Sequence, residues 1–556
     1  MMADQSQQQS KSPIRLTVPT PDSVANPNVE TRPNKLSKWV ENLPYANPIK
    51  VEAEIFEALY QLNRYPETVP QRSELMACYR NAYESLFKVV RKEYTRKDFR
   101  TVHHGKLKLT ELLLKVTVEM AYGYKLVINE CLEQVAQGKK SPHLGLAIYF
   151  VMKALTQELM LEYAEFIPDS KKAWREIFQL YALAEEHHLQ RELMEEGMTI
   201  ELLFKRILLI VMVDPYHLHR GEIWSCYDYL ARWALLTKFE SPDQIPKNIT
   251  AHFLVDSQSV HPPKPLKADT ELAPERHHIF NTLHLCETIH KQMKQVENNS
   301  KFIPEATEKL TAIQSIQMFR HMLLAWHVQP ERRSPREEKY GAHMVASGLS
   351  AAKHFMEKDA IVHEEAANPF SIEEEEPASF TLEGTAGIQS APRLSRYKVY
   401  EWRIFNISAS GMGLIVNAPV PKEVQVGQLL IAQVPRKESK ANCSVGIVRR
   451  MIQRDPETME VGIQFITGKL SPVAIRPQVF GSEVAAEFQS GLLVESSKTP
   501  STILAPFGMF RPRQEYVIDL GKQVICVFGN KLLESTPAFD RFTFDEMQAT
   551  LAPELI

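Results

Sequence analysis

The sequence contains few glycines, only 21 in 556 residues, whereas average usage near 7% would give about forty. Six of them fall in residues 1–330, and the other fifteen lie in residues 331–556. Glycine weakens helix interiors and supplies positive φ in turns, so the glycine-poor part predicts helices and the richer part predicts strands and turns. We therefore predict a multidomain α plus β protein whose two architectures meet between about residues 330 and 390.

Cysteines are also few, and none forms a Cys-x-x-Cys pair. This absence excludes a zinc ribbon and argues against a disulfide framework, which leaves reduced thiols as the simpler interpretation. We therefore expect no metal site. The six cysteines are Cys78, Cys131, Cys226, Cys286, Cys443 and Cys526.

Long apolar runs and an excess of one charge are absent as well. The longest strongly apolar run, Ile207 to Val213, is far shorter than the roughly 20 residues that span a bilayer. The polar N-terminus lacks the apolar core of a secretory leader. With 65 Lys plus Arg, 68 Asp plus Glu and a net charge of −3, the chain has no overall basic field for duplex nucleic acid or an anionic membrane. We expect a cytoplasmic protein without a membrane span and without a duplex nucleic-acid partner.

The first part of the chain predicts a polar leader followed by helices. Residues 1–35 are rich in Gln, Ser and Pro and are predicted to be disordered. Residues 36–328 are predicted to form an all-α domain, with later helices over about 200–213, 220–237, 275–295 and 306–327. One helical stripe carries apolar residues spaced three and four apart: Leu109, Leu113, Val116, Met120, Tyr124, Val127, Cys131 and Val135.

The second part predicts two small β domains. A charged, proline-broken segment at 329–338 leads to residues 342–356, which predict a strand running into a short helix. An acidic insert follows at 357–380. Short apolar alternations then predict an antiparallel barrel, so that the first β domain spans 329–480. The second spans 481–556 and has three strand candidates, Gly491–Glu495, Glu515–Leu520 and Val524–Phe528.

The stretch from Arg403 to Leu414 is the most informative part of the sequence. Asn406 and Ser408 are two residues apart, so in a strand their side chains project from the same face. Gly411 allows the backbone to turn closely after them. An amide and a hydroxyl on one face can hydrogen-bond the edge of a planar heterocycle. The alternative interpretation is an Asx or Ser turn that only closes a hairpin.

Three motifs in order resemble the PilZ domain, a small β-barrel that binds cyclic di-GMP. Asn406-x-Ser408-x-x-Gly411 is followed by Gly446-Ile-Val-Arg-Arg450 and then by Val461-Gly-Ile-Gln-Phe465. The resemblance covers about residues 400–470. It implies a PilZ-type barrel, a binding role in bacterial second-messenger signalling, and cyclic di-GMP as the ligand, with no other cofactor.

The resemblance also implies an Arg-x-x-x-Arg motif before the barrel, whose arginines bind the phosphates and the guanine. Arg332 and Arg336 fit it, and Arg333 between them is counted with the site. Arg336 lies 70 residues before Asn406, farther than is usual in the family. The alternative is that these arginines only solvate a helix exit among neighbouring glutamates. Arg393 and Arg396 are reserve candidates.

The whole chain resembles, more loosely, long bacterial proteins in which a large helical region precedes a PilZ domain. The segment Asn42-Leu-Pro-Tyr-Ala-Asn47-Pro and the segment Phe539-Asp-Arg-Phe542 carry this likeness. Glu57-Ala58-Leu59 matches the name of a cyclic di-GMP phosphodiesterase class, but without the surrounding motif we interpret it as coincidence. No cyclase loop, Walker loop or nucleophile elbow occurs, so an enzyme is not expected.

The expected function is therefore a non-enzymatic cyclic di-GMP receptor. In this hypothesis the nucleotide reorders the segment at 329–338, changes the arrangement of the domains, and exposes or hides a surface of the helical region for an unidentified protein partner. Two alternatives stay open. One is a helical scaffold whose PilZ domain no longer binds nucleotide, and the other is a helical enzyme regulated by β domains.

Overall fold

The structure, a computed structural model, describes residues 16–20, 22, 26, 28–94, 104–219, 221–243, 245–327, 335–361, 397–434, 442–478, 486–497 and 499–547. The chain divides into two compact units, Met1–Glu331 and Arg332–Ile556. The division falls at the start of the region in which glycine placement predicts a change of architecture. The first unit is helical and the second is built from β-strands.

The helical unit contains ten α-helices among its described residues. They are α1 (Pro33–Glu41), α2 (Pro48–Leu62), α3 (Val69–Tyr94), α4 (His104–Ala136), α5 (Leu144–Ala164), α6 (Lys171–Glu186), α7 (Ile200–Met212), α8 (Glu222–Trp233), α9 (Leu283–Asn298) and α10 (Ala312–Trp326).

Apolar periodicity accounts for these helices. The stripe that begins at Leu109 lies on α4, and its members from Leu109 to Cys131 are buried, as predicted. Local caps fix where helices begin: the hydroxyl of Ser170 accepts a hydrogen bond of 3.2 Å from the amide of Ala173 at the start of α6. The helical prediction for this region is therefore confirmed in its main features.

Helix α5 has an unusually apolar composition. Among the described residues it is the one helix long and apolar enough to cross a membrane, but 83% of its most apolar window is buried inside the protein. It packs against α4, α6, α7 and α8. Such burial is what the central helix of a helical core shows.

The helical unit also contains a small sheet, which corrects the prediction that residues 36–328 are all-α. Four antiparallel strands pair in the order β1-β4-β2-β3. The helix predicted over 275–295 is instead a strand followed by a helix, because β4 ends just before α9 begins. The strands are β1 (Lys238–Glu240), β2 (His252–Asp256), β3 (Lys264–Pro265) and β4 (His277–Asn281).

The leader is ordered where the structure describes it. The side chain of Leu16 is only 7% exposed, and the amide of Thr17 donates to the carboxylate of Glu176 at 2.9 Å. The amide of Asp22 donates to the carbonyl of Arg64 at 3.1 Å. These contacts correct the prediction of disorder for residues 16–20 and 22, and residues 1–15 lie outside the described part.

The first β domain is a closed antiparallel barrel of six strands, ordered β10-β7-β6-β5-β8-β9. The prediction of a strand running into a short helix is confirmed, since β5 is followed by α11 (Leu349–Lys358). The acidic insert beyond residue 361 lies outside the described residues. The strands are β5 (Glu337–Ser347), β6 (Val399–Ser408), β7 (Gly411–Asn417), β8 (Leu429–Ala432), β9 (Ser444–Asp455) and β10 (Thr458–Phe465).

The second β domain is another closed barrel of six strands, ordered β11-β12-β13-β16-β15-β14. It begins at Lys469, so the first strand lies before the predicted start at 481. This strand is difficult to predict from the sequence because it contains Pro472 and Pro477, and proline cannot donate a backbone hydrogen bond to a neighbouring strand. The strands are β11 (Lys469–Pro477), β12 (Gln489–Glu495), β13 (Thr502–Pro506), β14 (Glu515–Asp519), β15 (Val524–Ser535) and β16 (Phe539–Glu546).

Helix α11 joins the two barrels through a common core. One apolar cluster contains Phe355 of α11, Ile431 and Ile447 of the first barrel, and Leu492 and Phe539 of the second. All five side chains are at most 2% exposed. The helix starts sharply after β5 because Gly348 adopts φ +99°, a conformation that favours glycine. The two barrels therefore form one packed body.

Candidate functional site

The β6–β7 hairpin carries the predicted pair of polar side chains. Ser408 pairs with Gly411 at the end of the ladder, which leaves a loop of two residues. The hydroxyl of Ser408 donates to the carbonyl of Gly411 at 3.2 Å. Within the described part of the chain, the Asn406 amide has no hydrogen-bond partner. Ser408 thus helps to close the turn, whereas the Asn406 amide has no such role among the described residues.

Glycines in and next to the PilZ motifs allow neighbouring strands to pack closely. A Cβ on Gly411 would lie 2.1 Å from the carbonyl oxygen of Ile463, and one on Gly446 would lie 2.8 Å from that of Gln464. Both contacts are with the backbone of β10, so these glycines allow the barrel to close. Gly413 has a different neighbour, since its Cβ would overlap the Phe405 ring at 2.6 Å. Gly411 therefore has a packing role in addition to its predicted place at the site.

Strand β5 connects the arginine motif to this hairpin. It pairs antiparallel with β6, with Glu337 opposite Ile407 and Glu338 opposite Asn406. Arg336 immediately precedes Glu337, so it lies beside Ser408 at the end of the ladder. The 70 residues that separate Arg336 from Asn406 therefore contain β5, α11 and the insert, and do not separate the two in space.

The other predicted arginines cannot be placed. Arg332 and Arg333 lie outside the described residues, and so do the reserve candidates Arg393 and Arg396. In the described ranges, no group of three or more His, Cys, Asp or Glu side chains lies close enough together to hold a metal ion. The structure thus brings together Arg336, Asn406, Ser408 and Gly411.

Two further residues next to the hairpin were not among the predicted site residues. Tyr340 is 77% exposed, and its hydroxyl donates to the carboxylate of Glu338 at 3.0 Å. This hydrogen bond raises the pKa of Tyr340 above its ordinary value. Glu338 is one of the glutamates that neighbour the arginine motif in the sequence, where they were considered only as part of a solvated helix exit. Alternation along β5 relates Glu338 to Arg336, two residues before it, whereas Tyr340 is linked to Glu338 by the hydrogen bond.

Arg449 links the signature strands to the second barrel. Its guanidinium donates to the side-chain carbonyl of Gln464 at 2.8 Å and forms an ion pair with Glu534 of β15. Gln464 lies opposite Gly411 in the β7–β10 ladder. A continuous set of contacts therefore runs from the hairpin to the second barrel.

Two models of known families match parts of the two units. A family model described as the N-terminal domain of the cyclic-di-GMP receptor FimW matches residues 34–244. A second model, described as the middle PilZ domain of the same receptor, matches residues 358–472. No curated protein matches the chain. The PilZ match covers the Asn406 hairpin and the two later signatures, whereas β5 and Arg336 precede it.

Proposed function

Because the chain belongs to the family of the cyclic-di-GMP receptor FimW, we propose that it binds cyclic di-GMP on the β6–β7 hairpin of its PilZ barrel. The observation that carries the proposal is the register of β5 on β6, which sets Arg336 beside Ser408. One positive side chain and two neutral polar side chains then share one edge of the barrel. Arg332 and Arg333 belong to the same proposed site.

The chemistry of the ligand fits these groups. Each phosphate of a cyclic dinucleotide carries a negative charge, and an arginine guanidinium binds it through charge-assisted hydrogen bonds. Asn406 offers both a donor and an acceptor to the polar edge of guanine. Gly411, at the start of β7, lets the hairpin pack closely on β10. The groups bind and orient a ligand, and we propose a non-enzymatic receptor in the cytoplasm with no other cofactor.

The proposed output is a change in the arrangement of the two units. Arg332, Arg333 and Arg336 lie within residues 329–338, the segment that joins the units. Nucleotide held by these arginines restricts that segment, and ordering of a segment is a known route by which ligands switch proteins. The helical unit then presents or withdraws a surface for a protein partner.

Calorimetric titration with cyclic di-GMP, with GTP as the control nucleotide, tests the binding. We expect Arg336→Ala and Asn406→Ala each to weaken binding about tenfold or more, since hydrogen bonds to charged groups contribute about 1.5–3 kcal/mol. Arg191→Ala is the matched control, because that arginine lies in the helical unit and its side chain is 83% exposed. Unchanged affinity in Arg336→Ala and Asn406→Ala would contradict this site.

The alternative function is a helical scaffold whose PilZ domain no longer binds nucleotide. The long spacing before Asn406 and the acidic insert favour it, whereas the pairing of β5 with β6, which sets Arg336 beside Ser408 across that spacing, supports nucleotide binding. The same titration separates the two functions, because the scaffold gives no heat of binding at all. Small-angle scattering with and without nucleotide then tests the rearrangement, which Arg336→Ala should abolish.

A further inference from the structure

Strand β5 contains a bulge beside the proposed nucleotide site. Between its pairs Glu338–Asn406 and Gly341–Ile404, β5 has two residues, Lys339 and Tyr340, where β6 has one, Phe405. Bulges disrupt the ladder locally and redirect side chains, and they are frequent next to functional sites. Here the bulge leaves Tyr340 77% exposed. A tyrosine ring this exposed covers no core of its own barrel.

The bulge places an acid and an aromatic ring on the face that carries Asn406. Residues directly opposite each other in an antiparallel ladder point to the same side, so Glu338 and Asn406 share a face. The phenol of Tyr340 donates to Oε2 of Glu338 at 3.0 Å, which holds the ring beside the carboxylate. A carboxylate offers about four acceptor positions, so Glu338 retains capacity for further donors.

We propose that Glu338 and Tyr340 recognise guanine at this site, a role that rests on the proposed function and defines its base specificity. Guanine presents N1–H and the N2 amino group side by side, and the two oxygens of one carboxylate can accept both. Adenine presents an unprotonated N1 at the same position and repels that carboxylate. The Tyr340 ring supplies a planar surface on which the base stacks.

The two residues contribute in different ways. Stacking depends on the ring and is tolerant of base identity, because every base has a π-face. Hydrogen bonding by Glu338 depends on the guanine donors, and charge assistance strengthens it. Glu338 therefore controls the preference for guanine over adenine, and Tyr340 controls affinity for either base.

Titration of the full chain with cyclic di-GMP and with cyclic di-AMP tests this pair. We expect Glu338→Gln to lower the affinity for cyclic di-GMP about tenfold or more and to leave any binding of cyclic di-AMP equal or stronger. Tyr340→Ala should weaken the binding of cyclic di-GMP about tenfold, which is the effect expected from the loss of base–aromatic stacking. Tyr340→Phe keeps the ring, so its affinity should stay within about threefold of that of the unmodified chain.

Matched controls separate the pair from its neighbours. Glu337→Gln changes the adjacent carboxylate, which lies opposite Ile407 and alternates to the other face. Phe507→Ala removes another exposed ring, 58% exposed, in the second barrel. Both controls should bind cyclic di-GMP like the unmodified chain.

The outcomes distinguish this inference from the function on which it rests. If the chain binds cyclic di-GMP and Arg336→Ala weakens binding, but Glu338→Gln and Tyr340→Ala bind normally, the guanine-recognition pair is overturned and the receptor stands. If the unmodified chain shows no heat with cyclic di-GMP, both are overturned. Because Glu338 and Tyr340 are exposed, the variants should keep the thermal midpoint of the unmodified chain, which circular dichroism verifies.

Discussion

Each barrel has a polar side chain on one hairpin, Asp540 in the second barrel and Asn406 in the first, but the two side chains differ in their hydrogen bonding. In the second barrel, Asp540 is 2% exposed and accepts from the Ser535 hydroxyl at 2.6 Å and from the Phe510 amide at 3.1 Å. In the first barrel, Asn406 is half-buried and its amide has no partner within the described residues. One hairpin satisfies its polar groups inside the fold, and the other leaves one available. Two barrels with the same architecture therefore differ in whether the polar side chain of the hairpin is bonded within the described part of the fold.

The largest expected effect comes from filling the space at Gly411. Gly411→Ala should destabilise the β unit by about 3 kcal/mol, since its Cβ would lie 2.1 Å from the Ile463 carbonyl oxygen and relief requires β10 to move. Gly508→Ala is the control, because φ is +77° there but no atom lies within 4 Å of the new Cβ. It should cost only about 1 kcal/mol from backbone strain. Calorimetric melting of both variants measures the difference, and equal losses would refute the packing role of Gly411.

Removing the carboxylate of Asp540 from the hairpin of the second barrel should lower the stability of the β unit. Asp540→Ala removes the acceptor of two hydrogen bonds and leaves two donors unsatisfied, which should destabilise the β unit by about 2 kcal/mol. Asn406→Ala, the matching change in the other hairpin, should alter stability by less than about 0.5 kcal/mol. Urea unfolding followed by circular dichroism compares them. A comparable loss in Asn406→Ala would remove the contrast between the hairpins.

Ser408 contributes to both the turn and the proposed site, and its loss should destabilise the β unit less than the loss of Gly411 or Asp540 does. Ser408→Ala loses the hydrogen bond to the Gly411 carbonyl, which contributes about 0.5–1.5 kcal/mol to stability. We expect a loss of stability near the lower end of this range, together with a decrease of about threefold in the affinity for cyclic di-GMP. Ser497→Ala, at an exposed serine of the second β domain, is the control and should change neither quantity. Thermal melts and calorimetric titration provide the two measurements.

Local patterns in the sequence were sufficient to predict most of the fold. The stripe from Leu109 to Cys131 predicted α4, and residues 342–356 predicted β5 and α11, because apolar periodicity reports directly on burial. The sheet formed by β1 to β4 was missed because its strands have five residues or fewer. β11 was missed because its two prolines argue against a strand.

The candidate site was only partly predictable for a related reason. Asn406, Ser408 and Gly411 form a local motif, so they were recognised from the sequence. Glu338 and Tyr340 acquire their position through pairing with a strand more than fifty residues away along the chain. Strand register over such a distance depends on tertiary packing, and no local pattern specifies it. The same pairing places Arg336 beside Ser408 in spite of the 70 residues between Arg336 and Asn406.

The apolar cluster around α11 limits how this chain can be divided. The PilZ match ends at residue 472, but Phe355 packs in one cluster with Leu492, Leu504 and Phe539 from beyond that point. A fragment cut there loses these partners and exposes an apolar face of α11 to water, which favours aggregation. The first barrel is therefore not a portable module: recombination, in evolution or in the laboratory, has to carry both barrels together.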